Sequence, residues 1–253
     1  MSKLLNYKLE GQGPVVVLLH GLFGNLDNLG LLARDLRSDH TVLSVDLRNH
    51  GLSFHSSQLD YQSMATDVSA LLDHLAISQA IVIGHSMGGK VAMKLVEIAP
   101  ESVAKLVVLD IAPVAYQTRR HDNVLAGLNA VTAQKPASRQ QALQILAQHI
   151  EIDGVRQFLS KSLYKEGNHL AWRFNVPAIE QNYWNILGWQ PISPTAIPTL
   201  FVKGGNSDYL TNEHQPLVQQ QFSHAKAHVI ANTGHWLHAE KPVEVLRVIR
   251  KFI

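Results

Sequence analysis

The sequence contains no cysteine. Disulfides, thiolate nucleophiles and cysteine-based zinc sites are therefore excluded. Charge of one sign is also scarce, because 22 Lys and Arg stand against 20 Asp and Glu and no long run of either sign occurs. A nucleic-acid partner, which would require a basic patch, is not predicted.

Long hydrophobic runs are missing as well. The longest aliphatic run, Val15 to Leu19, is far shorter than a membrane span, and the opening residues MSKLLNYKLEGQG lack the apolar stretch of a secretory signal. We therefore expect no membrane span and a cytoplasmic protein. The 253 residues, 46% of them hydrophobic, are enough to bury the core of one large domain.

Short aliphatic runs alternate with helical patterns over most of the chain. This alternation is typical of βαβ units and of a parallel sheet that is buried on both faces. Apolar spacing predicts helices between the runs, among them one over 64–75 and a last helix that begins at Pro242. Six runs are predicted to be buried strands: 15–19, 41–45, 80–83, 106–109, 199–202 and 228–230.

The alternation stops between about Pro113 and Pro198, where glutamine and alanine are frequent and helical spacing takes over. We interpret this region as a helical insertion. It holds three of the four tryptophans, Trp172, Trp184 and Trp189. These large rings either form a small core of the insertion or line an apolar pocket over the sheet.

The stretch IVIGHSMGGK, residues 81–90, fits two different chemistries. A phosphate-binding loop requires Ser or Thr after its lysine, but Val91 stands there, so a nucleotide site is not favoured. A nucleophile turn requires a strand, a sharp GxSxG bend and a helix, and all three are present around Ser86. Ser86 is the predicted nucleophile, and the alternative is a serine that only caps the helix.

A serine nucleophile needs a base and an oxyanion hole. His235 follows the last predicted strand, where the base is expected in the chain order Ser, acid, His, and His238 is its nearest rival. The N–H of Met87, next to the nucleophile, and the N–H of Leu22, in the loop after the first predicted strand, are the predicted oxyanion donors. His20, at the start of that loop, is interpreted as a structural residue.

Two aspartates compete to orient His235. Asp110 ends the strand after the nucleophile helix, and Asp208 lies in the turn after strand 199–202. Both turns lie at the carboxyl ends of parallel strands, where ligands bind in such sheets, so the geometry admits either. A third carboxylate, Asp46, is interpreted as forming a loop-stabilising pair with Arg48.

Several segments resemble a known family. HGLFG at 20–24, DLRNHGLS at 46–53, GHSMGG at 84–89 and GHWLHAEKP at 234–242 resemble the α/β hydrolase family and span nearly the whole chain. A second set resembles, more narrowly, the YbfF-type bacterial esterases and their mitochondrial relatives: LFGNLDNLG at 22–30, LDIAPV at 109–114, RRHD at 119–122, WRFN at 172–175 and GGNS at 204–207.

The resemblance implies an α/β hydrolase fold, a mostly parallel doubly wound sheet with helices on both faces. It implies a core formed by residues 1–113 and 196–253 and a helical lid formed by residues 114–195. It also implies that no cofactor is needed. No metal site is predicted either, because no third ligand with matching spacing accompanies His235 and His238. The resemblance favours Asp110 as the acid, with Ser207 helping to hold the histidine, and leaves Asp208 as the alternative acid.

The predicted function is hydrolysis of a small-molecule carboxylic ester or acyl thioester through an acyl-enzyme intermediate. The alternative is a non-catalytic ligand-binding or interaction module on the same fold. Arg119 and Arg120 either meet an anionic head group or are simply solvated. The predicted substrate contacts are Phe23, Tyr116, Trp172, Trp184 and Trp236.

Overall fold

A computed structural model describes residues 3–253. Its main feature is a seven-stranded sheet in the order β1-β3-β2-β4-β5-β8-β9, in which β1 runs antiparallel and the other strands run parallel. The described chain forms these strands: β1 (Tyr7–Glu10), β2 (Val15–Leu19), β3 (Thr41–Val45), β4 (Ala80–His85), β5 (Val103–Leu109), β6 (Leu163–Glu166), β7 (His169–Trp172), β8 (Thr199–Gly204) and β9 (Ala225–Ile230).

Helices cover both faces of the sheet. The described chain forms these α-helices: α1 (Gly30–Leu36), α2 (Tyr61–His74), α3 (Met87–Ile98), α4 (Asp122–Gln134), α5 (Arg139–Ala147), α6 (Asp153–Ser160), α7 (Val176–Gln181), α8 (Tyr183–Leu187), α9 (Gln215–Gln221), α10 (Leu237–Glu240) and α11 (Pro242–Phe252). α1 and α11 pack on one face, and α2 and α3 pack on the other. The predicted parallel sheet with helices on both faces is confirmed.

The core strands are buried because their aliphatic side chains point into both helical layers. In β2, Val16 and Leu18 belong to the cluster with α1 and α11, whereas Val17 and Leu19 belong to the cluster with α2 and α3. This alternation of side chains about a strand explains why the sequence shows continuous aliphatic runs there. All six predicted strands are present.

β1 was not predicted, and it shows why edge strands are hard to detect. Its four residues, YKLE, mix polar and apolar side chains, and three of the four are exposed. None of the helices in the described range has both the length and the apolar character needed to cross a bilayer.

Residues 114–195, called the insertion below, connect β5 to β8 and contain α4 to α8. The insertion is largely helical, but it also contains an antiparallel hairpin of β6 and β7 that was not predicted. The two strands are joined by Gly167 and Asn168, and Gly167 has a φ of 58°. A two-residue Gly-Asn loop is a hairpin signal, but the flanking strands LYKE and HLAW are too short and too polar to show an aliphatic run.

Candidate active site

Ser86 lies at the sharp turn between β4 and α3. Its φ of 52° and ψ of −119° are unfavourable for a residue with a side chain. Glycines allow the chain to turn so tightly: a Cβ atom on Gly84 would lie 2.2 Å from the carbonyl oxygen of Gly88, and one on Gly88 would lie 2.3 Å from that of Leu19. The Ser86 N–H donates to the carbonyl of Leu109 at 2.9 Å, which fixes the turn against β5.

His235 lies in the loop between β9 and α10. Its Nε2 is 2.9 Å from the hydroxyl oxygen of Ser86, and its Nδ1 is 2.7 Å from Oδ2 of Asp110. The ring also stacks on Tyr209, with centroids 4.0 Å apart and planes 23° apart. The Nε2–H of His85 donates to the carbonyl of His235 at 2.9 Å and so holds the loop backbone. The imidazole is therefore fixed on its ring nitrogens, on its face and through its backbone.

Asp110 follows β5 and is completely buried. Its Oδ1 accepts the N–H of Gly204 at 2.8 Å, and its Oδ2 accepts both the Ser207 hydroxyl and the Nδ1–H of His235. Three donors on one buried carboxylate satisfy its charge without water. The carboxylate is thereby aimed at the imidazole.

Asp208, the alternative acid, lies at the surface. Its side chain is 70% exposed and forms an ion pair with Arg120 of the insertion. The hydrogen bond from Arg120 lowers the pKa of the Asp208 carboxyl. Of the two candidate acids, Asp110 is therefore the one that contacts His235, with Ser207 bound to it, whereas Asp208 pairs with Arg120 of the insertion.

The loop after β2 brings Leu22 to the same cavity as Met87. Neither backbone N–H has a hydrogen-bond acceptor within residues 3–253. Two free N–H groups beside a nucleophile can stabilise an oxyanion. The next residue, Phe23, has a φ of 61°, and its N–H donates to Nε2 of His50 at 3.2 Å. That bond engages the backbone N–H of Phe23, so the N–H of Leu22 is the one that stays free beside Ser86.

His20 and His50 brace this loop as neutral rings. His20 donates from Nδ1 to the carbonyl of Gly21 at 2.8 Å and accepts the N–H of Leu47 on Nε2 at 3.0 Å. Burial lowers the pKa of His20 to about 4 and that of His50 to about 3. Both rings therefore keep a lone pair for a backbone N–H at neutral pH, which agrees with the structural interpretation of His20.

The predicted pair between Asp46 and Arg48 does not form. Arg48 instead donates to both carboxylate oxygens of Asp67 in α2, at 2.5 and 2.8 Å. The carboxylate of Asp46 faces backbone amides and accepts the N–H groups of Leu26 and Leu52, at 2.7 and 2.8 Å. The prediction was wrong because backbone N–H groups occupy the carboxylate of Asp46, and the guanidinium of Arg48 reaches α2 instead.

A cavity of about 480 Å³ lies above Ser86 between the core and the insertion. Phe23, Tyr116 and Trp236, three of the predicted substrate contacts, border it. Most of the lining is apolar, and much of it comes from the insertion, including Val124, Ile150, Val155, Phe158, Leu159, Ile186 and Leu187. An acyl chain fits such a lining better than a charged group does.

Trp172 and Trp184 do not border the cavity. Trp172 is buried inside the insertion, where it stacks on Phe174 with ring centroids 5.0 Å apart and donates its indole N–H to the carbonyl of Leu128 at 3.1 Å. Trp184 is 58% exposed and lies under the guanidinium of Arg119. The prediction was wrong for both tryptophans. The amino-acid composition alone does not show whether an aromatic ring packs inside the insertion or lines the cavity.

Several residues around the site were not predicted from the sequence, among them Tyr209, His121 and Lys90. Tyr209 adjoins Asp208, but only the fold shows that its ring covers His235. His121 borders the cavity, and burial lowers its pKa to about 4. Lys90 was considered only as a phosphate-loop lysine. Within the described range, no group of three His, Asp or Glu side chains is arranged to ligate a metal ion.

Comparisons with known proteins place the chain in a family. A family model described as the alpha/beta hydrolase fold matches residues 14–242. Esterase YbfF of Escherichia coli K12 is 50% identical over 238 residues, which cover 94% of this chain and 92% of that protein. A putative esterase/lipase of Haemophilus influenzae is 46% identical over 257 residues, covering 100% and 89%.

A solved structure described as a marine microorganism esterase superposes with a TM-score of 0.96, at 35% identity and with 100% of both chains covered. It therefore shares the sheet, the helices and the insertion of this chain. The matched family model and these long, similar relatives show the membership: the chain belongs to the α/β hydrolase family and, within it, to the YbfF-type esterases.

Proposed function

We propose that Ser86, His235 and Asp110 form the catalytic triad of this carboxylic ester hydrolase. His235 takes the hydroxyl proton of Ser86 on Nε2 while the serine oxygen attacks the substrate carbonyl. Asp110 holds the Nδ1–H and stabilises the imidazolium that forms. The observation that carries the proposal is the continuous hydrogen-bonded path from the Asp110 carboxylate through the imidazole to the Ser86 hydroxyl, at 2.7 and 2.9 Å.

The N–H groups of Leu22 and Met87 receive the oxyanion of the tetrahedral intermediate. His235 then protonates the leaving alcohol or thiol, which leaves the acyl group on Ser86. Water, activated by the same imidazole, releases the acid and restores the hydroxyl. One oxyanion donor typically contributes about 3 kcal/mol to lowering the barrier.

The substrate is a small-molecule carboxylic ester or acyl thioester. The apolar lining of the cavity supports an acyl chain, and the relatives compared above are named esterases. Residues 114–195 act as the lid, with the core formed by 1–113 and 196–253. The position of the insertion above Ser86, where it supplies much of the cavity wall, supports this division.

The test is to replace Ser86 by Ala and to measure hydrolysis of a short activated ester. Because the hydroxyl is the nucleophile, we expect a loss of about 10⁶-fold in kcat with the circular dichroism spectrum unchanged. A fluorophosphonate probe should label the wild type and not Ser86→Ala. A wild type that neither turns over esters nor accepts the probe would support the non-catalytic binding module instead.

A further inference from the structure

Lys90 is a completely buried lysine that the proposed mechanism does not use. It lies one turn after Ser86 in α3 and borders the cavity. No carboxylate pairs with it in the described part of the chain. A buried ammonium without a counter-ion is costly, since it loses its hydration, so its contacts must compensate in another way.

Those contacts are carbonyls and aromatic faces. The Nζ donates to the carbonyls of Leu187 and Gly188, at 3.2 and 3.0 Å. Its ammonium also lies 4.7 Å from the ring centroid of Tyr116 and 5.3 Å from that of Tyr61. Burial lowers the pKa of Lys90 to about 7, so these dipoles and rings offset only part of the lost hydration.

The two carbonyls belong to the end of α8, the last helix of the insertion. The carbonyls at a helix C-terminus have no partner within the helix, and a cation is favourable there. The neighbouring carbonyl of Ile186 accepts the Tyr61 hydroxyl at 2.5 Å, so two core side chains hold consecutive carbonyls of one short segment. Ile186 and Leu187 themselves line the cavity.

We propose that Lys90 is a positioning residue that sets the acyl-chain preference of this site by holding the α8 end, and with it the wall formed by Ile186 and Leu187. The inference rests on the proposed function, because it concerns how the same cavity receives an acyl chain. Lys90 touches neither the nucleophile nor the base in this role. It acts through the backbone of the insertion.

The experiment compares KM and kcat for an acetyl and an octanoyl ester in Lys90→Met, which keeps the length of the side chain and removes its donors. We expect KM for the octanoyl ester to rise about tenfold, equivalent to about 1.4 kcal/mol, because the wall is no longer held. The decisive readout is the octanoyl-to-acetyl KM ratio, because general damage to the site would lower the turnover of both esters equally. The thermal midpoint should stay within about 4 °C, because an apolar side chain often replaces a buried charge without loss of stability.

The matched control is Lys94→Met. Lys94 is a buried lysine one turn further along α3, and its amine pairs with Glu97 of the same helix. We expect its KM values to stay within about twofold of the wild type, since it donates to no insertion carbonyl. An octanoyl-to-acetyl KM ratio that is unchanged in Lys90→Met, or shifted as much in Lys94→Met, would overturn the role of Lys90. So would a purely structural result, with a lower thermal midpoint and an equal loss on both esters.

If Lys90→Met does not fold, Tyr61→Phe decides, because it removes only the hydroxyl bond to Ile186. A raised octanoyl-to-acetyl KM ratio supports the inference, and an unchanged ratio overturns it. Ester turnover by the wild type that depends on Ser86 separates a failure of the proposed function from a failure of the positioning role. Its absence would remove the proposed function, whereas its presence with unaffected Lys90 and Tyr61 variants would remove only the positioning role.

Discussion

The cavity has two walls that are built differently. The core wall carries Ser86, His235 and Asp110, each held by directional hydrogen bonds at the carboxyl end of the sheet. The wall from α4 to α6 is mostly apolar, and no hydrogen bond joins residues 122–160 to the core in the part of the chain that the structure describes. Reacting groups need fixed angles, whereas an acyl chain needs only space and apolar contact. We therefore expect core substitutions to change kcat and insertion substitutions to change KM.

The later part of the insertion resembles the core wall in this respect. Asn175 donates from its backbone and its side chain to Asn49, at 2.9 and 3.0 Å, and Asn182 donates to the carbonyl of Ser57 at 2.8 Å. Together with the contacts at the end of α8, these bonds fasten residues 173–188 to the core. Hydrogen bonds thus fix the later part of the insertion to the core, whereas packing alone holds residues 122–160.

The largest expected effect is on kcat and comes from a substitution in the core wall. Asp110→Asn should lower kcat by about 10⁴-fold, because an amide cannot hold the required tautomer of His235. Asp208→Asn should change kcat by less than about threefold, since it removes only an exposed ion pair with Arg120. Steady-state kinetics on a short ester at pH 7.5 measures both. Comparable losses in the two variants would refute the assignment of the acid.

The second effect concerns stability and depends on four histidines, three in the core and one in the insertion. Burial lowers the pKa of the core residues His20, His50 and His238 to about 4, 3 and 3, and that of His121 in the insertion to about 4. The unfolded chain binds protons below about pH 6.5, where these folded rings stay neutral. The contribution of these rings to the free energy of unfolding should therefore be constant well above pH 6.5 and fall as the pH decreases towards 4, by about 2 kcal/mol per ring at pH 5.

Urea denaturation at pH 7 and pH 5 measures this difference. His50→Gln keeps an acceptor for the N–H of Phe23 and removes one titrating ring, so its loss between the two pH values should be smaller than that of the wild type. Equal free energies of unfolding at pH 7 and pH 5 in the wild type would show that these rings are not buried as neutral groups.

The smallest effect tests the apolar wall. Phe158→Ala removes a half-buried ring that borders the cavity and contacts Trp236. KM for an octanoyl ester should rise about fivefold, equivalent to about 1 kcal/mol of lost apolar contact, with kcat on an acetyl ester preserved. Trp184→Ala is the matched control, because this exposed ring lies outside the cavity. A chain-length preference that is equal in both variants would assign Phe158 to packing alone.

Much of the core could be predicted from the sequence because its signals are local. A buried parallel strand such as β2 is a continuous aliphatic run, and the Ser86 turn places its glycines within a few residues. The choice between Asp110 and Asp208 was different, since both follow parallel strands. Only the resemblance to known esterases favoured Asp110 over Asp208, because nothing local in either turn shows which carboxylate points at His235.

The insertion could be predicted less well because its contacts join distant residues. Trp172 and Trp184 have the same composition signal, yet one stacks inside the insertion and the other faces solvent. Nothing local in the sequence distinguishes Lys90 from another helical lysine, because its partners, the carbonyls at the end of α8, are distant in the chain. The Gly167–Asn168 loop was the one local signal in this region that could have revealed the hairpin.

The hydrogen bond from the His85 ring to the backbone of His235 joins the turn that carries Ser86 to the loop that carries His235. It involves neither the Ser86 hydroxyl nor the His235 ring. A copy of the enzyme that has lost its serine hydroxyl would therefore remain a shaped receptor. Such a variant, Ser86→Ala, should bind an ester without cleaving it. It could therefore be used to isolate and identify the physiological substrate of this site.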